Sequence, residues 1–250
     1  MTRIWTAALI VIGDEILSGR TQDRNIGQVA TWLNAQGIRL AEVRVVPDVE
    51  ERIIDAIEAL GGSHDYCFTT GGIGPTHDDI TVDAVAKALG VPVVVHPAAR
   101  AILERYYKGR GGLNEGRLRM ARVPEGAELI ENKMSGAPGI RIGNLFLMAG
   151  VPHIAAGMLD ALSGTLEGGK PLVSVTVGAF APESEVADIL RETEALADGI
   201  SIGSYPFFKQ GRVGSNFVVR SEDATRAKAV ADELAGKLAE VGYDPVEGGI

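Results

Sequence analysis

A chain of 250 residues, 46% hydrophobic and 23% charged, has ample apolar material for one large domain or a medium domain plus a small one, which excludes intrinsic disorder. Its formal net charge of −9 disfavours nucleic acid, whose phosphates are held by counterion release to basic surfaces, but leaves open a small phosphorylated ligand held locally by backbone amides or a metal. The single cysteine, Cys67, excludes an intrachain disulfide, and no run of about 18 apolar residues offers a membrane span, so a cytoplasmic protein is expected.

Ala7 to Ile12 is a continuous apolar run rich in β-branched residues, as in a strand buried on both faces of a parallel sheet. It runs straight into Gly13-Asp14-Glu15 with no small-residue cleavage site, which argues against a signal peptide. After a loop to Asp23, Ile26, Val29, Ala30 and Leu33 share one helical face, with Asn25 as the expected cap and Gly37 as the stop. Ile38 to Val46 reads as a second strand. Asp48-Val-Glu-Glu51 then has the pattern of an N-cap with an acid at the third helical position. The helix it opens carries Ile53, Ala56, Ile57 and Leu60 on one face and stops at Gly61-Gly62.

Asp65 to Thr70 is a third strand, in which Cys67 is expected to be a buried structural thiol. A helix from Thr81 to Leu89 and a strand from Val91 to Val95 follow. Strands alternating with helical patterns predict βαβ units and a parallel sheet. Beyond Pro97 to Lys108, a helix, the pattern loosens. Gly109 to Gly116 reads as a mobile loop, Leu129-Ile130 and Leu145 to Ala149 as short strands, and Pro152 to Leu162 as a helix.

Gly164 to Lys170, with three glycines, is the best linker, giving expected domains at 1–165 and 170–250. In the second domain the predicted strands are Leu172–Gly178, Ile200–Tyr205 and Val213–Arg220, and the predicted helices Ser184–Ala197 and Glu222–Val241. This βαββα order suits a small α+β sandwich with its helices on one face. Gly211-Arg-Val-Gly214 imitates a GXXG nucleic-acid loop, but it joins two strands in an acidic chain and reads as a hairpin turn.

Chemistry concentrates in Thr69-Thr-Gly-Gly-Ile-Gly-Pro-Thr-His-Asp-Asp-Ile-Thr81, between a strand and a helix. Three glycines in four positions let the backbone turn sharply and present N–H groups to an anion. The segment contains no lysine and is not a P-loop, and it lacks the GxGxxG spacing of a dinucleotide fingerprint. Asp78 and Asp79 beside such a nest make sense if a hard cation bridges them to the ligand, although one of them can equally cap the helix. Asp14 and Glu15, in the glycine-bounded loop to Gly19, are a second acidic pair suited to a divalent cation, the alternative being a solvated turn. Asn132-Lys-Met-Ser-Gly136-Ala-Pro-Gly139 and Ala149-Gly-Val-Pro152 are constrained loops on the same domain. The four histidines lack zinc-site spacing, and only His77 is placed for ligand contact. No Gly-x-Ser-x-Gly elbow is present, which disfavours hydrolysis by a catalytic triad.

Taken together, Gly13-Asp14-Glu15-Ile16 to Gly19, Asp23-x-Asn25, the Thr69–Thr81 loop and Ser135-Gly-Ala-Pro-Gly139 resemble the molybdopterin-binding domain of molybdenum-cofactor biosynthesis proteins and CinA proteins. The resemblance covers about the first 165 residues and implies a mostly parallel three-layer α/β sandwich. The trailing unit, with Gly203-Ser-Tyr-Pro206, is similar to the small middle domain of CinA. Nothing corresponds to CinA's terminal deamidase domain, so deamidation of nicotinamide mononucleotide is not implied.

Carried over residue by residue, the resemblance puts ligand phosphates at Gly71, Gly72 and Gly74, with Thr70, Pro75, Thr76, Ser135, Gly136 and Pro138 around them. It puts the family's functional aspartate at Asp79, with Asp78 beside it, and a strand-end acid at Asp48. Ala149 stands where the family has proline, and His153 where an acid or serine is common. A divalent cation (Mg²⁺, Co²⁺, Mn²⁺ or Ni²⁺) at Asp14, Glu15 and Asp79 is implied, with molybdopterin as a possible ligand and a homodimer or homotrimer as the assembly. Three readings stay open: a metal-dependent pyrophosphatase on ADP-ribose or a related dinucleotide, a molybdopterin binder or adenylyl transferase, and a non-catalytic nucleotide or pterin carrier.

Overall fold

The computed structural model of the protein describes residues 3–250, which form two compact units, one reaching Gly169 and the other spanning Lys170–Ile250. In chain order the first unit runs β1 (Trp5–Ile12), α1 (Asp14–Leu17), α2 (Asn25–Ala35), β2 (Ile38–Val46), α3 (Glu50–Gly61), β3 (Tyr66–Thr70), α4 (Thr81–Leu89) and β4 (Val93–Val95). It continues with α5 (Pro97–Tyr107), α6 (Glu115–Arg119), β5 (Arg122–Pro124), β6 (Glu128–Ile130), β7 (Gly139–Ile142), β8 (Leu145–Met148) and α7 (Pro152–Leu162).

Six strands form the central sheet in the order β2-β1-β3-β8-β7-β6. The first four pair in parallel, and β7 and β6 close the far side antiparallel. In β1 every residue from Ala7 to Ile12 is buried, because each face of the sheet is covered. Ala8, Ile10 and Ile12 pack with Ile53, Ile57 and Leu60 of α3 and Val82 and Val85 of α4. The alternate residues Ala7, Leu9 and Val11 pack with Val29 and Leu33 of α2 and Met158 and Leu159 of α7. Phe68 and Phe146 stack on that second side with ring centroids 4.8 Å apart. A mostly parallel three-layer sandwich results, with α2 on one face and α3 on the other. The connections therefore diverge between β1 and β3, which opens a crevice at the carboxyl ends of those strands.

Several expectations need correction. The Val91–Val95 strand is shorter and lies outside the main sheet, pairing antiparallel with β5, which periodicity missed. The Gly109–Gly116 stretch is not loop throughout: its last two residues, Glu115 and Gly116, open a short helix, α6, capped by the Asn114 side chain on the Arg117 amide at 2.8 Å. Asp48 does not cap α3, whose N-cap is Val49 with no side-chain bond. Asn25 is not the cap of α2 but its first residue, and Asp23 Oδ1 accepts from the Ile26 amide instead. The end of the expected linker is pinned to the first unit, with the Gly169 amide donating to the Gly37 carbonyl at 3.0 Å. Gly37 sits there at φ 71, where a Cβ would strike the Gly169 backbone.

The second unit comprises β9 (Val173–Ala179), α8 (Glu183–Glu194), β10 (Ser201–Lys209), β11 (Arg212–Ser221), α9 (Ala224–Glu240) and β12 (Val246–Glu247). Its sheet, ordered β10-β11-β9-β12, is antiparallel throughout, and Val186 of α8 and Leu234 and Leu238 of α9 pack with Val177, Phe217 and Val219. The short β12 extends the expected βαββα order. Gln210 and Gly211, both at positive φ, form the two-residue loop between β10 and β11. The GXXG imitation is therefore a hairpin.

Candidate functional site

All four parallel strands deliver a loop to one edge of the sheet, and a cavity of ≈ 640 Å³ opens between these loops. Gly13 and Glu15 come from the end of β1, Asp48 from β2, Gly71 to Pro75 with Asp78 and Asp79 from β3, and Ala149 to Pro152 from β8. Ser135 and Pro138 reach the wall from the turn before β7. The structure thus brings together Glu15, Asp48, Gly71, Gly72, Gly74, Pro75, Asp78, Asp79, Ser135 and Pro138.

Four expected site residues do not line this cavity. Asp14 is exposed and contributes its amide to Asp48, and the buried Thr70 hydroxyl has no hydrogen-bond partner. Thr76 turns onto Asp79, and Gly136 packs on the Tyr106 ring. His77 is exposed and also outside the wall.

Glycine is required where the Thr69–Thr81 loop leaves the sheet. Gly71 (φ 102) would drive a Cβ into the Ile12 carbonyl, and Gly72 (φ 68) would drive one into the Thr81 hydroxyl. Thr81, at the start of α4, ties the loop down. Its hydroxyl donates to the Gly71 carbonyl at 2.9 Å and its amide to the Gly72 carbonyl at 3.0 Å. The amides of Gly72, Ile73 and Gly74 meet no acceptor among the described residues, so they remain available as an anion nest. The β8 loop touches this nest, with Gly150 close against the Gly71 backbone and its carbonyl held by the buried Asn25 side chain at 2.8 Å. That contact accounts for Asn25 better than a cap.

The acids are organised by short-range bonds. Asp79 Oδ2 accepts from the Thr76 amide at 2.7 Å and from the Thr76 hydroxyl, closing the turn beside Gly74. A Cβ on Gly74 would lie 2.6 Å from that oxygen. Polar neighbours in this turn, Thr76 first and then Asp78's own amide, hold the exposed Asp78 carboxyl below the usual range. Asp48 moves the other way. Burial raises its pKa, the Asp14 amide opposes the rise, and the charges of Asp14, Glu15 and Asp78 add to it. Among the described residues no three His, Cys, Asp or Glu side chains converge on a preformed metal cage.

Tyr107, Met120, Ile154 and Met158 add apolar surface to the cavity wall. These residues carry no motif, which is why sequence reading passed over them; helical spacing assigns such side chains to a core. Asn132 organises the nearby turn. Its Nδ2 donates to Ser135 Oγ and to the Ala137 carbonyl, both at 2.7 Å, and its Oδ1 accepts from the Met134 and Ser135 amides. All four of its hydrogen-bonding positions are thereby used, leaving the Ser135 hydroxyl proton free for a ligand acceptor.

A nest of free amides and a group of acids at the switch point of an open parallel sheet define a class of small-ligand α/β domains. Comparison with known proteins makes the class specific. Residues 8–167 match the family described as probable molybdopterin binding domain, and the chain belongs to that family. Residues 171–247 match a second family, described as FAD synthase, middle domain. A protein of Aeropyrum pernix is 34% identical over 246 residues, covering 94% of this chain and 90% of its own. A CinA-like protein of Citrifermentans bemidjiense is 36% identical over 241 residues; the match takes in 92% of this chain but only 58% of that relative's length. The crystal structure of CinA from Thermoplasma acidophilum superposes with a TM-score of 0.61 at 31% identity, over 65% of this chain and 98% of that one.

Proposed function

We propose that the cavity binds a phosphate-bearing nucleotide or pterin and acts as a divalent-metal-dependent pyrophosphatase on ADP-ribose or a related dinucleotide. The observation that carries this reading is the placement of four carboxylates, Glu15, Asp48, Asp78 and Asp79, around a nest of free amides, with no Lys, Arg or His in the cavity wall. A diphosphate in the nest would be repelled by these acids unless a cation lay between them.

The donor set suits such a cation. Among the described residues Asp79 Oδ1 meets no donor, and Asp48 and Glu15 line the same cavity. One or two carboxylates, completed by ligand phosphates and water, is the way Mg²⁺ is commonly held. When bound, the cation would neutralise charge on the phosphoryl oxygens. The protein's own part is to hold the diphosphate on the Gly72–Gly74 amides, to seat one ring against the apolar wall at Tyr107, and to offer Asp48, its pKa raised, as the acceptor of a proton from water.

The test is incubation of the purified protein with ADP-ribose, FAD and NAD, each with Mg²⁺ or Co²⁺, followed by chromatography of released mononucleotides. AMP release from at least one of them is expected. No turnover together with tight pterin binding would replace this reading with the second one, molybdopterin binding or adenylyl transfer, which the match of residues 8–167 favours. A homodimer or homotrimer is the assembly proposed for either.

A further inference from the structure

The Pro75–Asp79 turn carries the Asp79 carboxylate, and an element that no motif marks packs on it and hydrogen-bonds to it. Helix α6 rests on the turn at both ends. Gly116 sits so near the Pro75 carbonyl oxygen that a Cβ would come within 3.3 Å of it, and Arg119 Nη2 donates to the Asp79 carbonyl at 3.3 Å. The Arg119 Nε is buried without a partner, and among the described residues this guanidinium forms no ion pair. Arg119 as a whole is half-buried, so it is this one buried N–H without an acceptor that marks the group as held in place by its surroundings. Here it donates to the main chain of a loop that holds two acids, beside a cavity whose wall, among the described residues, has no Lys, Arg or His.

α6 is itself well anchored. Arg117 donates to the Arg110 and Gly112 carbonyls and lies over the Tyr107 ring at 4.1 Å, while Met120, next to Arg119, reaches the cavity wall.

We infer that Arg119 is a positioning residue of the site: through the Asp79 carbonyl it fixes the turn whose Thr76 amide and Asp79 carboxylate must stay closed for Asp79 to face the ligand. Its effect on turnover rests on the hydrolase reading above; its effect on the turn does not. The experiment compares wild type, Arg119→Met and Arg119→Lys by two measurements. Amide hydrogen exchange, with no ligand present, reads protection of the Pro75–Thr81 segment. Hydrolysis of ADP-ribose with Mg²⁺ reads kcat and KM.

In Arg119→Met, exchange of that segment should accelerate while β1 and β3 keep wild-type protection, and kcat should fall on the order of 10²-fold with KM nearly unchanged. Arg119→Lys restores a donor and should recover most of both. Wild-type protection of the segment in Arg119→Met overturns the inference. So does a loss that spreads evenly through the first unit and is not recovered by lysine, which would make Arg119 a general packing residue. If the wild-type protein hydrolyses nothing, the hydrolase reading falls, and the exchange measurement still decides the role of Arg119.

Discussion

The Asp48 carboxylate accepts a hydrogen bond from the Asp14 amide at 2.9 Å, joining the end of β2 to the start of α1, just after β1. The bond stabilises the first turn of α1, yet it draws Asp48 into a half-buried position beside the charges of Asp14, Glu15 and Asp78.

One consequence concerns pH. The Asp48 pKa is raised above its ordinary value of 3.8, so between the two values the folded protein binds more protons than the unfolded chain. Stability from this group is therefore lost as pH rises through that window. Asp48→Asn keeps an oxygen for the Asp14 amide but does not titrate. Its urea midpoint, measured against wild type from about pH 3.5 to pH 7, should improve with rising pH and then level off. A difference that stays constant with pH would show that Asp48 carries no such cost.

Asp79→Asn tests the site's chemistry separately from its fold. Asparagine still offers an oxygen to the Thr76 amide, so the thermal midpoint should stay within a few degrees of wild type. Metal-dependent hydrolysis should fall on the order of 10²-fold or more, because the anionic charge at the cation is lost. Full activity in this variant would remove Asp79 from the site.

Gly71→Ala addresses the nest. With φ at 102 and the Ile12 carbonyl in the way, a side chain requires the β3 loop to move off β1. A loss of at least about 2 kcal/mol is expected in chemical denaturation. Gly90→Ala is the comparison, since Gly90 has a similar φ sign with nothing near its Cβ, and it should cost about 1 kcal/mol.

Cys67 is fully buried in β3, and burial pushes its thiol up to about 12. A thiol reagent at neutral pH should therefore react only as fast as the domain opens, and addition of urea should accelerate the reaction in step with unfolding. Rapid stoichiometric labelling of the native protein would contradict the placement of β3 in the sheet.

The features legible along the chain are local in origin. The unbroken apolar run Ala7–Ile12, the helical spacing of Ile53, Ala56, Ile57 and Leu60, and the glycines at 71, 72 and 74 each express a backbone preference within a few residues. They set out the βαβ alternation, the parallel sheet and the glycine-rich turn after β3. Strands β4 and β5 have three residues each and β7 has four, too few for any period to show. The remaining contacts depend on how distant segments pack. Asp48 bonds to Asp14 rather than capping its own helix, Asn25 holds the Gly150 carbonyl rather than the start of α2, and Arg119 reaches the Asp79 carbonyl from 40 residues away. Each of those bonds joins segments that meet only once the sheet has formed. A polar side chain takes the partner that burial places beside it, and chain neighbours carry no record of that choice.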